Sequence, residues 1–589
     1  MFPLPVWRKC PAPPVARNGS AHRRTGTTLL GLLAVGLTLQ VTAAPAVTNE
    51  AKARLFEAPG TPAAECQIDR LVFPELARLQ IKPVLCSDAV FVRRAYLDVI
   101  GTLPTAKEAR AFIEDASPAK RRALIDQLLE RDEFADYWAM RWGDVLRIKA
   151  EFPVNLWPNA AQAYHRWVRA AIAANKPYDE FVRELLTSSG SNFRVGPVNF
   201  YRAIQNRTPE GIASAVALTF MGARTDAWPS NRLADMAVFF SQIGYKPTGE
   251  WKEEHVFWDP AGFSRISGSS APGRAAIAAI GQPSNNVAQL SVPATASTPA
   301  RRTTTFPDGT RVTLADDRDP REVFADWLIT PKNPWFTRAA ANRAWAWLLG
   351  RGIVHEPDNI RTGNPASNPA LLMHLDKEFV ASRYDLKQLY RQILNSKTYQ
   401  LTSVPQSSSP QAAAQFASYP LRRLDAEVLI DAINQITGSS DLYTSPIPEP
   451  FTYIPKDMPA IAIADGSITS PFLALFGRSA RATGMENERN NRPVPAQWLH
   501  LLNSSHIQRK LEQGPALQAL IDSGKSRTQI IEELYLTILS RFPTPEEVAT
   551  AKAYGAPAND AKPGRPKRRE EWVDIAWALI NSTEFVFRH

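Results

Sequence analysis

The sequence predicts a mainly α protein: two helical domains joined by a long irregular linker that carries a small β hairpin. Three observations predict it. Apolar residues recur at helical spacing almost throughout, helix start and stop signals fall at the ends of those runs, and residues 259–319 lose the periodicity.

Taken in chain order, residues 1–43 read as an export leader. Arg17, Arg23 and Arg24 precede the short apolar run TLLGLLAVGLTL (28–39), and small residues follow at 41–46. The run is too short and wrongly flanked for a membrane span, so a removed signal peptide is expected, with the mature chain in the periplasm or outside the cell.

A first helical domain is expected over 66–258. CQIDRLVFPELARLQ places Ile68, Leu71, Val72, Leu76 and Leu79 on one stripe, and Thr105 with Glu108 has capping-box spacing. Residues 261–300 are rich in Ala, Ser, Gly and Pro, as in a linker. Pro307-Asp308-Gly309 inside TTTFPDGTRVTL then predicts a hairpin.

A second helical domain is expected over 320–589. Asp385 with Gln388 and Thr544 with Glu547 mark helix starts, Ser526 caps the next run, and Gly350 and Gly438 mark stops. LPTAKEARAFI and FPTPEEVATAK are weakly alike, and each is followed later by Glu-Phe.

The 589-residue chain has 21% charged residues and a formal net charge of +10, an ordinary globular composition. Five of those charges (Arg8, Lys9, Arg17, Arg23, Arg24) lie in the leader, which leaves +5. The basic run KPGRPKRR (562–569) is Pro- and Gly-rich and lacks interleaved aromatics, which argues against nucleic-acid binding. Cys66 and Cys86 remain after the leader. In an oxidising compartment a disulfide between them is expected and would constrain the unfolded chain by roughly 3 kcal/mol; two buried thiols are the alternative.

His-Glu-x-x-His, Gly-x-Ser-x-Gly and Cys-x-x-Cys are missing, and SGKS (523–526) lacks the upstream glycine of a phosphate loop. No metal site and no cofactor are therefore expected. The densest polar stretch is ENERNNRPVPAQWLHLLNSSHIQ (486–508). Its Glu488, Arg489, Arg492, His500 and His506 form the candidate catalytic set, because carboxylate, guanidinium and imidazole together suit acid–base work on an anion or a sugar. Asn491 and Asn503 are candidate ligand contacts; an interdomain hydrogen-bond network is the other use for such residues.

Trp138, Trp142, Trp167, Trp345 and Trp347 fall in helical runs and are assigned to the core. Trp157, Trp228, Trp251 and Trp258 stand beside polar residues in expected loops, where indoles either hold sugar rings or anchor the loop. EWKEEHVFWD adds Glu250, Glu253, Glu254, His255 and Asp259, but neighbouring glutamates on a strand face opposite ways and make a poor acid–base pair.

FVRRAYLDVIGTLPTAKEARAFI, FADYWAMRWGDVLRI and GIASAVALTFMG resemble the planctomycete-type secreted cytochrome-associated domain of unknown function (PSCyt-type). REVFADWLITPKNPWFTRAAANRAWAWLLGRGIVHEPDNIR, YPLRRLDAEVLIDAI and LHLLNSSHIQRKL resemble its usual C-terminal secreted partner domain (PSD-type). Many such proteins carry Cys-x-x-Cys-His after Phe-Met-Gly and a cysteine motif before Glu-Arg. Here the corresponding stretches are Arg224-Thr225-Asp226-Ala227-Trp228-Pro229 and Gly484-Met485-Glu486-Asn487-Glu488-Arg489. Covalent haem at these positions is chemically impossible, and electron transfer is disfavoured. RTDAWPSN then reads as a corner, with Ser230 or Asn231 capping the next helix.

The expected function is an exported binding or scaffold protein associated with the cell surface or a polysaccharide, and the resemblance suggests a sulfatase-like secreted partner. A carbohydrate-directed hydrolase with its site in the C-terminal domain is the alternative. A groove between the two domains is the expected place for a ligand.

Overall fold

The helices start and stop where local chemistry puts them. Thr105 accepts from the Glu108 amide while Glu108 accepts from the Thr105 amide, opening helix Ala106–Glu114. Ser526 and Gln529 do the same for Arg527–Leu539, as do Thr544 and Glu547 for Pro545–Tyr554. Helices Phe336–Leu349 and Ala426–Thr437 end on Gly350 and Gly438, at φ +71° and +70°. That left-handed conformation closes a helix at little cost only for glycine.

The computed structural model describes residues 55–151, 156–262, 302–554 and 568–589, all within the unit Asn49–His589. The expected leader (1–43), linker residues 263–301 and most of the basic run 562–569 lie outside the described residues. The protein is mainly α, with three small sheets among the described residues. No described helix is long and apolar enough to cross a membrane.

The expected hairpin is present, Arg302–Thr305 pairing antiparallel with Arg311–Leu314. A three-stranded antiparallel sheet departs from the sequence reading: Glu254–Trp258 lies between Gly190–Ser191 and Ile243–Pro247. Residues 254–258 of the acidic stretch thus form a central strand, and Glu253 and Glu254 are engaged structurally. Glu253 accepts from Ser191 Oγ and from Thr248 Oγ1, and Glu254 pairs with Arg202.

The core is one continuous apolar cluster. Helix Asp132–Val145 runs through it, buried on nearly every side. Trp138 stacks on Tyr390 with ring centroids 4.2 Å apart, and Trp142 meets Trp347 edge-on at 5.4 Å. Trp138, Trp142, Trp345 and Trp347 are buried as expected.

Buried arginines tie early helices to late segments. From helix Asp88–Val99, Arg93 donates to the carbonyls of Ile538 and Phe585, each at 2.8 Å, and Arg94 donates to those of Tyr399 and Leu401. Arg588 reaches Asp98 at 2.8 Å and Asp425 at 2.7 Å, and Arg141 donates to the same Asp425 oxygen at 2.7 Å. Removing one partner from such a buried pair costs about 3–5 kcal/mol, because a bare charge stays behind.

The weak internal echo has a structural counterpart. Arg131 bridges Glu108 and Glu133, and Arg541 bridges Glu547 and Glu584. In both places one guanidinium joins a capping-box glutamate to the glutamate of the later Glu-Phe.

The disulfide expectation is corrected: Cys66 and Cys86 are free thiols. Cys66 occupies the N-cap of helix Gln67–Arg78, where its Sγ donates to Asp69 Oδ2 at 3.3 Å. Cys86 is fully buried, bridged through its backbone to Glu57. Helix capping directs the first thiol toward its own first turn.

Candidate functional site

Three loops meet beside the C-terminal end of helix Phe336–Leu349. The first is residues 350–358. Gly350 is required there twice over, by its positive φ and because a Cβ would stand 2.6 Å from Arg422 Cδ. Asn342 fixes the loop's middle, exchanging hydrogen bonds with Val354 through its side-chain amide at 3.0 and 2.9 Å. Asp358 fixes its end: Oδ1 accepts from Arg343 at 2.9 Å, and Oδ2 accepts from the Glu486 amide at 2.7 Å. One carboxylate therefore joins this loop to the second, residues 484–492.

The third loop is the corner after helix Pro209–Met221. Gly222 caps that helix at φ +58°, and its carbonyl accepts from the Ile360 amide at 2.8 Å. The corner is a short 3₁₀ turn, Thr225–Ala227, leading to helix Ser230–Ala237. Pro229 takes the N-cap position without a side-chain bond, so neither Ser230 nor Asn231 caps as expected. Arg224 leaves the corner to donate to Glu356 at 2.6 Å.

These loops border a cleft of about 300 Å³. Six arginines line it (Arg141, Arg224, Arg351, Arg422, Arg489, Arg492) against three carboxylates (Glu356, Asp358, Glu486), with His355, Asn487 and Asn491 beside them. Three of the arginines are committed inward. Arg141 binds Asp425, Arg422 donates to the Trp347 and Leu348 carbonyls, and Arg489 grips Asp144 and Glu427. Arg351 and Arg492 have no ion-pair partner among the described residues. Asn491 donates to Asp425 at 2.6 Å, and its buried Oδ1 has no hydrogen-bond partner.

The electrostatics follow from this packing. Burial pushes the Glu486 carboxyl above the usual carboxylate range, and Asp358 adds to it, against Arg141 and the Trp347 indole N–H. That indole donates to Glu486 Oε2 at 2.7 Å. Burial, with Arg351 close by, pulls His355 below the usual imidazole range, so it stays neutral at neutral pH. Burial alone would raise Glu427, but Arg489 and Arg478 bring it down to about 2.

The sequence-predicted residues divide. Arg489, Asn491 and Arg492 line the cleft. Glu488 does not; it is a loop brace whose Oε1 accepts from the Ala482 and Thr483 amides. His500 and His506 lie outside the cleft lining. His500 Nε2 stands 3.4 Å from His506 Nδ1, and His506 Nε2 stands 2.8 Å from Asp441 Oδ1, which Lys510 also meets at 3.3 Å. This chain pins helices Pro495–Asn503 and Ser505–Gln513 to the turn after Gly438. Asn503 is exposed beside it.

The four tryptophans expected in loops do not assemble into a platform, and Trp258 stands in the central strand rather than in a loop. Trp157 meets Phe451 edge-on, Trp228 lies under Arg232, and Trp258 donates to Gln242. Trp251 is 65% exposed. Missed by sequence reasoning were Arg141, Arg224, Arg351, His355, Glu356 and Arg422. GRGIVHEPD (350–358) held a signal, since polar and titratable residues there follow a glycine-stopped helix.

Residues 67–226 match the family described as PSCyt2, protein of unknown function (DUF1549), and residues 320–555 match PSD1, protein of unknown function (DUF1553). The chain has the two-domain PSCyt2–PSD1 architecture. No curated protein and no solved structure is significantly similar to it. Both matched segments of this PSCyt2–PSD1 chain line the cleft, Arg141 and Arg224 from the first and the remaining residues from the second. The two stretches that lack the cysteine motifs of the resemblance, 224–229 and 484–489, both border it. Their donor set does not fit a thiolate-held metal or covalent haem: it offers guanidinium groups in place of thiols.

Proposed function

We propose that the protein is an exported binding protein for an acidic saccharide, a cell-surface or matrix polysaccharide bearing carboxylates or sulfate esters, held in the arginine-lined cleft. The observation that carries this reading is the pair Arg351 and Arg492, two guanidiniums in one cleft with no ion-pair partner among the described residues. Guanidinium forks match oxyanions in shape and charge. Carboxylates and the free Asn491 Oδ1 beside them supply acceptors for hydroxyl groups, so the wall suits a ligand carrying both an oxyanion and hydroxyls. The apolar leader supports export.

Titration calorimetry tests it with three matched probes: a carrageenan hexasaccharide (sulfated), an alginate hexasaccharide (uronate) and a neutral agarose hexasaccharide. Binding of a charged probe, weakened about tenfold or more by Arg351→Ala and by Arg492→Ala, supports the reading. Equal affinity for the neutral probe overturns it.

A carbohydrate-directed hydrolase is the second reading, and Glu486 favours it. A carboxyl held above its usual range suits a general acid. Release of reducing ends that disappears in Glu486→Gln would establish turnover; no release leaves binding alone.

A further inference from the structure

We propose that oxyanion binding in this cleft draws a proton onto Glu486, so that the protein takes up its ligand and a proton together. The inference rests on the acidic-saccharide reading of the cleft and concerns how that site is regulated.

Three elements and its own loop surround Glu486. Helix Asp132–Val145 presents Arg141, helix Phe336–Leu349 presents Arg343 and Trp347, and loop 350–358 presents Asp358, His355 and Glu356. Its own loop adds Arg489 and Arg492, and Arg351 and Arg422 complete the wall. The cations nearest Glu486 are already engaged. Arg141 donates to Asp425 at 2.7 Å, and Arg343 donates to Asp358 at 2.9 Å and to the Thr219 carbonyl at 2.7 Å. Arg489 is divided between Asp144 and Glu427. Glu486 itself accepts from a neutral donor, the Trp347 indole.

A bound oxyanion brings negative charge into the same cleft. A like charge sharing the site disfavours a second ionised carboxylate and raises its pKa. Arg351 and Arg492 turn to the ligand, and no uncommitted cation remains to hold Glu486 ionised. Glu486 therefore takes up a proton, and as a neutral acid it becomes a hydrogen-bond donor. Burial already biases it that way before the ligand arrives. By linkage, affinity rises as pH falls, with a slope approaching one decade per pH unit across the titration.

The test is calorimetry of the carrageenan hexasaccharide between about pH 5 and pH 8, in buffers of different ionisation enthalpy. Its sulfate esters stay ionised throughout, so any proton taken up belongs to the protein. The expected result is uptake approaching one proton per site in the wild type, lost in Glu486→Gln and kept in His355→Gln. Uptake unchanged in Glu486→Gln, or lost only in His355→Gln, overturns the proposal and leaves the binding reading standing. Failure to bind either charged hexasaccharide at any pH overturns the reading and the proposal with it. Should Glu486→Gln fail to fold, infrared difference spectra of the wild type decide: a protonated-carboxyl band must grow on adding carrageenan, and its absence refutes the proposal.

Discussion

Arg489 donates to a single oxygen of Asp144, Oδ2, from Nε at 3.0 Å and from Nη2 at 2.7 Å, although the two residues are 345 positions apart in the chain. The contact fixes the floor of the cleft to the central helix of the core. It also settles how Arg489 serves the site: its nitrogens hold Asp144 and Glu427, and only its flank meets the cleft.

Replacing Arg489 by methionine should therefore destabilise the fold by about 3–5 kcal/mol, since Asp144 and Glu427 would lose a buried partner. Urea unfolding measures this directly. Arg492→Met, at an exposed position of the same loop, should leave the unfolding midpoint within experimental error of the wild type while weakening oxyanion binding.

Glu427 gives the acid limb of stability its shape. Its carboxyl falls from the usual 4.5 to about 2 in the fold. A depressed acid contributes stability above its unfolded value and loses it as pH falls through the folded value. The loss should run from about pH 4.5 to pH 2 and amount to roughly 3 kcal/mol. In Glu427→Gln the stability measured by urea unfolding should vary less with pH over that window.

His165 acts in the same direction by a different route. Burial, with Arg481 and Arg169 near, brings its imidazole down to about 3. The folded protein keeps it neutral while the unfolded chain protonates near 6.5, so stability falls as pH drops from 6.5 toward 3, by roughly 4–5 kcal/mol in the limit. His165→Gln should flatten the stability curve between those values.

The His500–His506–Asp441 chain should prove structural. His506→Ala leaves Asp441 with Lys510 alone and should lower stability by about 1–2 kcal/mol. Carrageenan affinity should stay within about twofold of the wild type, since neither histidine lines the cleft. A loss of binding with the fold intact would return these histidines to the site.

Thiol chemistry checks the corrected disulfide. Burial raises the Cys66 thiol to about 11, so it should alkylate slowly in the native protein. Cys86, fully buried, should alkylate only on unfolding. Mass spectrometry of the peptides carrying each residue, without prior reduction, should recover both as thiols.

Local signals were legible because each is complete within a few residues. Thr105 with Glu108, Thr544 with Glu547, the Ser526 cap, and the stops at Gly350 and Gly438 could be read from neighbours alone. The three-stranded sheet was not, since Gly190–Ser191 pairs with residues 255–256 and no local pattern announces that partner. The cleft was half legible: the polar run 486–492 stood out in one stretch. Arg141, Arg224 and the 350–358 loop reach it only through tertiary packing. Charge density also misled. The same run holds Glu488, spent on two backbone amides, and leads to histidines that brace helices; polarity marks both uses alike.

The arginines of helix Asp88–Val99 set a condition on biosynthesis. Arg93 is satisfied by carbonyls of Ile538 and Phe585, and Asp98 by Arg588. A nascent chain that has emerged only as far as this helix holds charges whose partners do not yet exist, and several hundred residues must be made before they do. These contacts therefore form only after the last segment has been synthesised.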